Sequence, residues 1–371
     1  MELQPTNSSD LLVVGAGFSG LSLAYSTKYQ DSRSVIVERK ARLWSPSTGL
    51  ITPPTLSLLE EVFSFDIPIQ RAFSSMKVVF KGVGEVLLSS REPFLFLLDK
   101  NSFFSAAQEH LPHSFILALG CSFMQSENKT AKVQASSREM SIRYNLLFGA
   151  DGALSKVAKS AGLPLVKDWL YGYEWSINQP LADNFITFIV DPSVSRAYGI
   201  WMFPVNGETV RIGLASKKPL KRADAQSMMK QYFSFDGPLL DYKGGAIPTS
   251  GPVRTPFKED VILLGDAAGL CGPFLGDGIQ TAVKSGIAAA KAVEQPHVGD
   301  SYAQLLRTLG VTKYLKQQAT LRNLWDKFVS QSTLKRLYKF TLRNQDHLLD
   351  DLTTIKQDPS NFLPVVRKFF G

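Results

Sequence analysis

Three glycine-bearing stretches, each opening just after an apolar run, hold the residues of this chain best suited to chemistry. The first is Gly15-Ala16-Gly17-Phe18-Ser19-Gly20, entered from Leu11–Val14. In that spacing the first glycine permits a tight turn and the second lets a pyrophosphate approach the backbone. The third lets the following helix lie close on the strand. A helix beginning there offers unpaired N–H groups and partial positive charge to phosphate. Glu38 stands 18 residues after Gly20, ends the β-branched run Ser34–Glu38 and is followed by Arg39. Its carboxylate is placed to accept hydrogen bonds from ribose hydroxyls. This is dinucleotide chemistry, and alone it does not separate FAD from NAD.

The segment after Val261–Leu264 separates them. It reads Gly265-Asp266-Ala267-Ala268-Gly269, then Pro273, then Gly276-Asp277-Gly278-Ile279. A strand ending in Gly-Asp puts a carboxylate at the carboxyl edge of a sheet. Gly276 and Gly278 let backbone amides approach a flat ring, and the helix after Gly278 aims its positive end at it. That suits the N1–C2=O edge of a flavin, which gains negative charge on reduction. A nicotinamide enzyme needs no such second site, so the expected cofactor is non-covalent FAD. A third motif, Gly149-Ala150-Asp151-Gly152, lies between the other two and ends another buried strand; a helix cap accounts for Asp151 equally well. Cys271, inside the second loop, is read either as a thiol facing the substrate or as a small buried hydrophobe.

The elements that must position these loops follow from periodicity. Strand, glycine turn, helix and strand occupy the first ~40 residues as one βαβ unit. A proline-containing loop over 41–54 leads to a helix near Thr55–Phe63. Short strands fill Met76–Leu98, a helix covers Ser102–His110, and Leu170–Ala215 is strand-rich with clustered aromatic residues. Trp175, Tyr198, Trp201 and Phe203 are candidate walls of a substrate cavity, or equally core residues of a sheet. The expected fold is α/β (α+β overall). A Rossmann-type FAD-binding domain is expected over 1–75, 92–165 and 255–295, with a β-sheet-rich substrate domain over 76–91 and 166–254. A helical C-terminal segment completes it over 296–371.

Composition bounds the function classes. A chain of 371 residues, 44% hydrophobic and 20% charged, has the makings of a large core and no long disordered tract. No apolar run reaches the roughly 18 residues of a membrane span, and no secretory signal is read at the N-terminus. Two cysteines and four scattered histidines suggest neither a disulfide framework nor a metal site. A cytoplasmic, metal-free protein is expected. Residues 307–343 carry nine basic side chains against one acid, Asp326, an excess equal to the net +8 of the whole chain. Interleaved Leu, Trp, Phe and Tyr make these helices amphipathic. Two readings stay open: peripheral contact with an anionic membrane surface, or a solvated face with its apolar stripe packed on the rest of the protein. Nucleic-acid binding is not expected, since no recognised module accompanies the charge.

With its three motifs in this order, the chain resembles the FAD-dependent oxidoreductases of the aromatic-hydroxylase fold, and within them the geranylgeranyl reductase family. The likeness runs from Leu11 to about Val293, through VVGAGFSGLSLA, VIVER, GADGALSKVAKSAGLP and LLGDAAGLCGPFLGDGIQTAVKSG. Assignment within the fold rests on the loop around Ser47-Thr48-Gly49-Leu50 and on Tyr198-Gly-Ile-Trp201-Met-Phe203-Pro204. The resemblance implies that Gly49 and Leu50 border the cofactor and that the aromatic segment lines a prenyl cavity. Tyr198 lies one residue upstream of the family spacing, Ser47 stands where a cysteine is common, and Asp99-Lys100 replaces Asp-Arg. Lysine keeps the charge near the cofactor but loses the bidentate fork. The implied activity is reduction of carbon–carbon double bonds in an isoprenoid or other lipid-like substrate. A flavin monooxygenase of an aromatic or lipid substrate and an electron-transfer flavoprotein serving a quinone or protein partner remain alternatives, since one fold serves all three. The donor is NAD(P)H bound transiently or a ferredoxin-type protein.

Overall fold

The structure, a computed structural model, describes residues 8–28, 33–136, 138–181, 183–194, 199–235, 238–274 and 276–357. Parallel strands buried on both faces need unbroken apolar runs rather than alternation. Leu11–Val14, Val35–Val37 and Ile262–Leu264 are such runs, and all are buried. They fall in the largest sheet, whose parallel strands lie in the order Val261–Leu263, Arg138–Gly149, Ser8–Val14, Ser34–Glu38 and Phe115–Leu119. Phe257–Lys258 adds an antiparallel edge, while Cys121–Glu127 and Thr130–Ala135 extend the first half of Arg138–Gly149 as an antiparallel meander.

The helices Phe18–Ser26 and Gly278–Val293, each following a glycine loop, pack on one another. Gly286 sets their separation: a Cβ there would stand 2.6 Å from both Leu23 N and Ser19 O. Two sequence-distant loops are thereby tied to one helix pair.

A second sheet has seven strands, in the order Leu239–Pro248, Trp169–Asn178, Thr209–Ser216, Ile200–Pro204, Ile186–Val190, Ser75–Phe80 and Gly84–Ser89. Side chains alternate across a strand. Tyr173, Trp175, Ile177, Val210, Ile212 and Leu214 therefore share one face, and they pack with Ala225, Met229 and Phe233 of or beside the helix Arg222–Tyr232. Glu174, Arg211 and Gly213 fall on the other face. A small third sheet, Leu50–Ile51, Leu95–Leu98 and Ile69–Phe73, follows the loop that carries Gly49.

Four helices close the described chain: Val298–Thr308, Val311–Phe328, Gln331–Arg343 and Leu348–Gln357. They are not an appendage. Tyr302 donates to Leu263 O (2.9 Å), and Tyr338 packs edge-on against Phe80 of the second sheet. Among the described residues no helix is long and apolar enough to cross a membrane.

Candidate active site

The three glycine motifs end three adjacent parallel strands. In register, Val14 lies beside Gly149 and Gly149 beside Leu263, so all three loops leave the same carboxyl edge. Ala150 N donates to Val14 O and Leu264 N to Gly149 O, each at 2.8 Å. Gly15, at φ 104°, turns the chain so tightly that a Cβ would stand 2.3 Å from Ala150 O. One at Gly20 would stand 2.1 Å from Gly15 O. Both glycines are therefore explained by the protein itself.

Gly17 is not. Its backbone is extended (φ −82°, ψ −171°), a conformation open to any residue, and nothing lies within 4 Å of where its Cβ would be. Neither conformation nor packing requires glycine here. The space a side chain would take lies at the N-terminus of Phe18–Ser26, where a pyrophosphate fits. Glu38 borders that space, with Oε2 accepting from Ala16 N (3.0 Å) and Oε1 from Lys40 N (2.9 Å). Each oxygen keeps a further lone pair for a ribose hydroxyl.

On the other side, Gly265–Ala268 forms a single 3-10 turn, pinned by Gly265 N donating to Ser285 Oγ (3.0 Å). The Asp266 carboxylate accepts no hydrogen bond among the described residues, and burial pushes its pKa up to about 6. An unpartnered carboxylate at this edge suits the hydroxyls of a ribityl chain. Gly276 (φ 69°) and Gly278 frame the start of the helix Gly278–Val293. An open space at a helix N-terminus, a vicinal-diol acceptor on one side and an unpartnered carboxylate on the other together fit FAD.

The remaining candidate residues divide. Asp151 is committed to the protein, accepting from Ser155 Oγ (2.6 Å), Lys156 N (2.7 Å) and Val157 N (3.2 Å). Its carboxylate caps the helix Lys156–Ser160, so only the backbone around Asp151 and Gly152 adjoins the glycine turn. Phe18 turns its ring into the core against Phe103 and Phe104 (5.3 Å each). Ser19 is buried beneath Gly265, Arg39 is exposed, and Ile279 is half-buried at the helix start. Cys271 is buried, its sulfur 3.3 Å from the Cβ position of Gly278.

Of the expected cavity walls, two are buried in sheet cores and a third lies outside the described residues. Trp175 lies on the face of the second sheet that packs on Arg222–Tyr232, away from Trp201, because the two occupy opposite sides of the pleat. Phe203 is fully buried in a core with Phe73 and Leu97. Tyr198 lies outside the described residues. Trp201 alone is half-buried on the opposite face; its ring crosses Gly213, whose Cβ would meet Trp201 Cε2 at 2.3 Å.

That face meets the loop around Gly49 through charge. Lys100 is buried and donates to Ser45 O (2.9 Å) and Ser47 O, rather than extending toward the glycine turn. Arg211 donates from Nη1 to Thr48 O (2.7 Å). Glu174, 5% exposed, accepts from Trp201 Nε1 (3.2 Å), and Arg211 Nε lies 3.9 Å from its Oε1. Burial pushes Lys100 down to about 7, helped by Lys243, and pushes Glu174 up against the pull of Arg211. Gly49, at φ 84°, lies against the Lys100 stem and accepts from Leu98 N (2.9 Å), with half-buried Leu50 beginning the next strand. Sequence reasoning missed Glu174 and Arg211: a charge inside a β run reads as a solvent-facing residue.

No protein-family model matches the chain. Among curated proteins it is 24% identical over 336 residues to the digeranylgeranylglycerophospholipid reductase of Methanococcus vannielii, covering 83% of this chain and 84% of that one. It is 26% identical over 302 residues to the geranylgeranyl diphosphate reductase of Rhodobacter capsulatus, covering 76% and 74%. The chain is similar to the geranylgeranyl reductases over most of its length. Among solved structures, a geranylgeranyl bacteriochlorophyll reductase-like protein of Thermoplasma acidophilum superposes with a TM-score of 0.79 at 17% identity, over 98% of this chain and 99% of that one. The p-nitrophenol 4-monooxygenase PnpA of Pseudomonas putida gives 0.74 at 15% identity, over 95% and 98%. The chain shares the fold of these proteins.

Proposed function

We propose that this protein is an FAD-dependent reductase of carbon–carbon double bonds in an isoprenoid lipid. The observation that carries the flavin is Gly17, a glycine that neither its conformation nor its packing requires, on the same sheet edge as the buried carboxylate of Asp266. The substrate class rests on the reductases it resembles over about four fifths of both chains. When bound and reduced, FAD supplies a hydride to one carbon of the double bond, and a proton on the other completes the reduction.

The chain's own residues bind and orient. Gly15–Gly20 and Glu38 take the pyrophosphate and ribose, and Asp266 takes the ribityl hydroxyls. Gly276 and Gly278 present their backbone to the ring. Trp201, fixed by Glu174 and laid flat on Gly213, gives the second sheet a rigid aromatic surface beside the Gly49 loop, suited to an apolar chain. The test is anaerobic: the reduced protein is mixed with geranylgeranyl lipids and the flavin absorbance followed. Reoxidation with a saturated product supports the reading. Reoxidation only when oxygen is admitted, with substrate hydroxylation, replaces it by the monooxygenase that the shared fold also serves.

Two further proposals attach to it. Electrons arrive from NAD(P)H bound transiently or from a ferredoxin-type protein, and the rate of flavin reduction by each distinguishes them. The protein docks on an anionic cytoplasmic membrane face through 307–343. Eight of its nine basic residues are exposed there, as are Leu324 and Phe328 on Val311–Phe328.

A further inference from the structure

The exception among the nine is Arg322, which is buried. It continues a stripe with Tyr314 and Gln318, spaced four residues apart on the inner face of Val311–Phe328 and likewise buried. Spacing of four stacks side chains on one helix face, and this face lies on residues 272–274 and 276–278. Tyr314 donates to Asp277 Oδ2 (2.5 Å) and Gln318 Nε2 to Asp277 Oδ1 (3.2 Å). Gln318 Oε1 accepts from Phe274 N (3.0 Å), and Arg322 Nη1 donates to Pro273 O (3.3 Å). Arg322 is itself held by Asp326 (2.9 Å), and Asp277 packs so closely on the loop that a Cβ at Gly272 would overlap its Oδ1. Asp277 stands between Gly276 and Gly278, so whatever fixes its carboxylate fixes the amides on either side.

We infer that Tyr314, Gln318 and Arg322 are positioning residues of the flavin site: the C-terminal helix sets the loop whose amides face the ring. This rests on the FAD reading above. It places the cofactor site partly beyond the 11–293 segment, in a helix whose sequence reads as a basic surface element. A loop with four hydrogen bonds to a buried helix face is pre-organised, so neither binding of the ring nor its gain of negative charge on reduction requires the loop to reorder.

The experiment compares Gln318→Leu, Arg322→Met and Tyr314→Phe with the wild-type protein, reading the Kd for FAD by fluorescence quenching and the midpoint potential of the bound flavin. Tyr314→Phe removes one hydroxyl, keeps the packing and so guards against failure to fold; Lys316→Ala, on the outer face, is the control. The FAD Kd is expected to rise about tenfold in Gln318→Leu and Arg322→Met. The potential should move to more negative values in all three, with Lys316→Ala unchanged. Folded variants with Kd within twofold of wild type and an unmoved potential would overturn the inference while leaving the FAD reading intact. A wild-type protein that takes up no FAD would overturn both.

Discussion

Asp266 ends its strand with a carboxylate that meets no protein donor, and burial raises its pKa to about 6. Its unfolded value is near 4, so between those pH values the folded chain binds the extra proton. The stabilising contribution is complete below about pH 4 and is lost as pH rises through 6. At neutral pH the apoprotein therefore holds a poorly solvated anion. Asp266→Asn is expected to stabilise the apoprotein at pH 7 by about 1–2 kcal/mol, to flatten its stability between pH 4 and 6, and to weaken FAD binding. Urea denaturation at several pH values checks the first two; an unchanged slope would contradict them. Glu174 is the opposite case, an anion set among Lys100, Arg211 and Lys243. Glu174→Gln removes the carboxylate paired with Arg211, leaving only Asp241 beside Lys243, and is expected to cost about 3 kcal/mol of folding stability. The glutamine amide oxygen still accepts from the Trp201 indole, so the lower denaturation midpoint should come without a shift in the folded-state tryptophan emission.

The helix pair Phe18–Ser26 and Gly278–Val293 fixes how the two nucleotide loops face each other, and Gly286 is its closest contact. Because the obstructing atoms are backbone, they have little room to yield. Gly286→Ala is expected to lose about 1–3 kcal/mol and to weaken FAD binding in parallel, measured by thermal melts with and without cofactor. Such elements were legible in sequence where the signal is local. The run Leu11–Val14, the turn at Gly15 and the acid at Glu38 form one continuous unit, and the strand Val261–Leu263 announces its loop in the same way. What was not legible is which face of an element meets which neighbour. Trp175 and Trp201 both read as aromatic residues in strands, and only the pairing of the seven-stranded sheet sends them to opposite sides. Amphipathic spacing shows that Val311–Phe328 buries one face, not that the face holds Asp277. Arg322 thus passed as surface charge. Asp151 had two equally good readings from its spacing, and the hydrogen bonds to Lys156 and Val157 chose the cap.

At the scale of the molecule, eight basic side chains are exposed on the C-terminal helices, while the inner face of Val311–Phe328 carries the stripe proposed to position the flavin loop. Sedimentation with vesicles containing anionic phospholipid, reversed by high salt, is expected if the exposed basic side chains meet a membrane. Absence of binding at low salt would contradict it. Binding should weaken in Lys313→Glu/Lys316→Glu, which leaves the buried stripe untouched. The account as a whole turns on the space at Gly17. The most direct test is FAD binding by the wild-type protein and by Gly17→Val, with circular dichroism confirming that both are folded. The wild type is expected to bind close to one FAD per chain and to be yellow. The variant should fold normally, since no protein atom occupies that space, yet lose FAD affinity by about 100-fold or more, an overlap cost of the order of 3 kcal/mol. A colourless wild type, or a folded variant that binds FAD as well as its parent, would contradict the account.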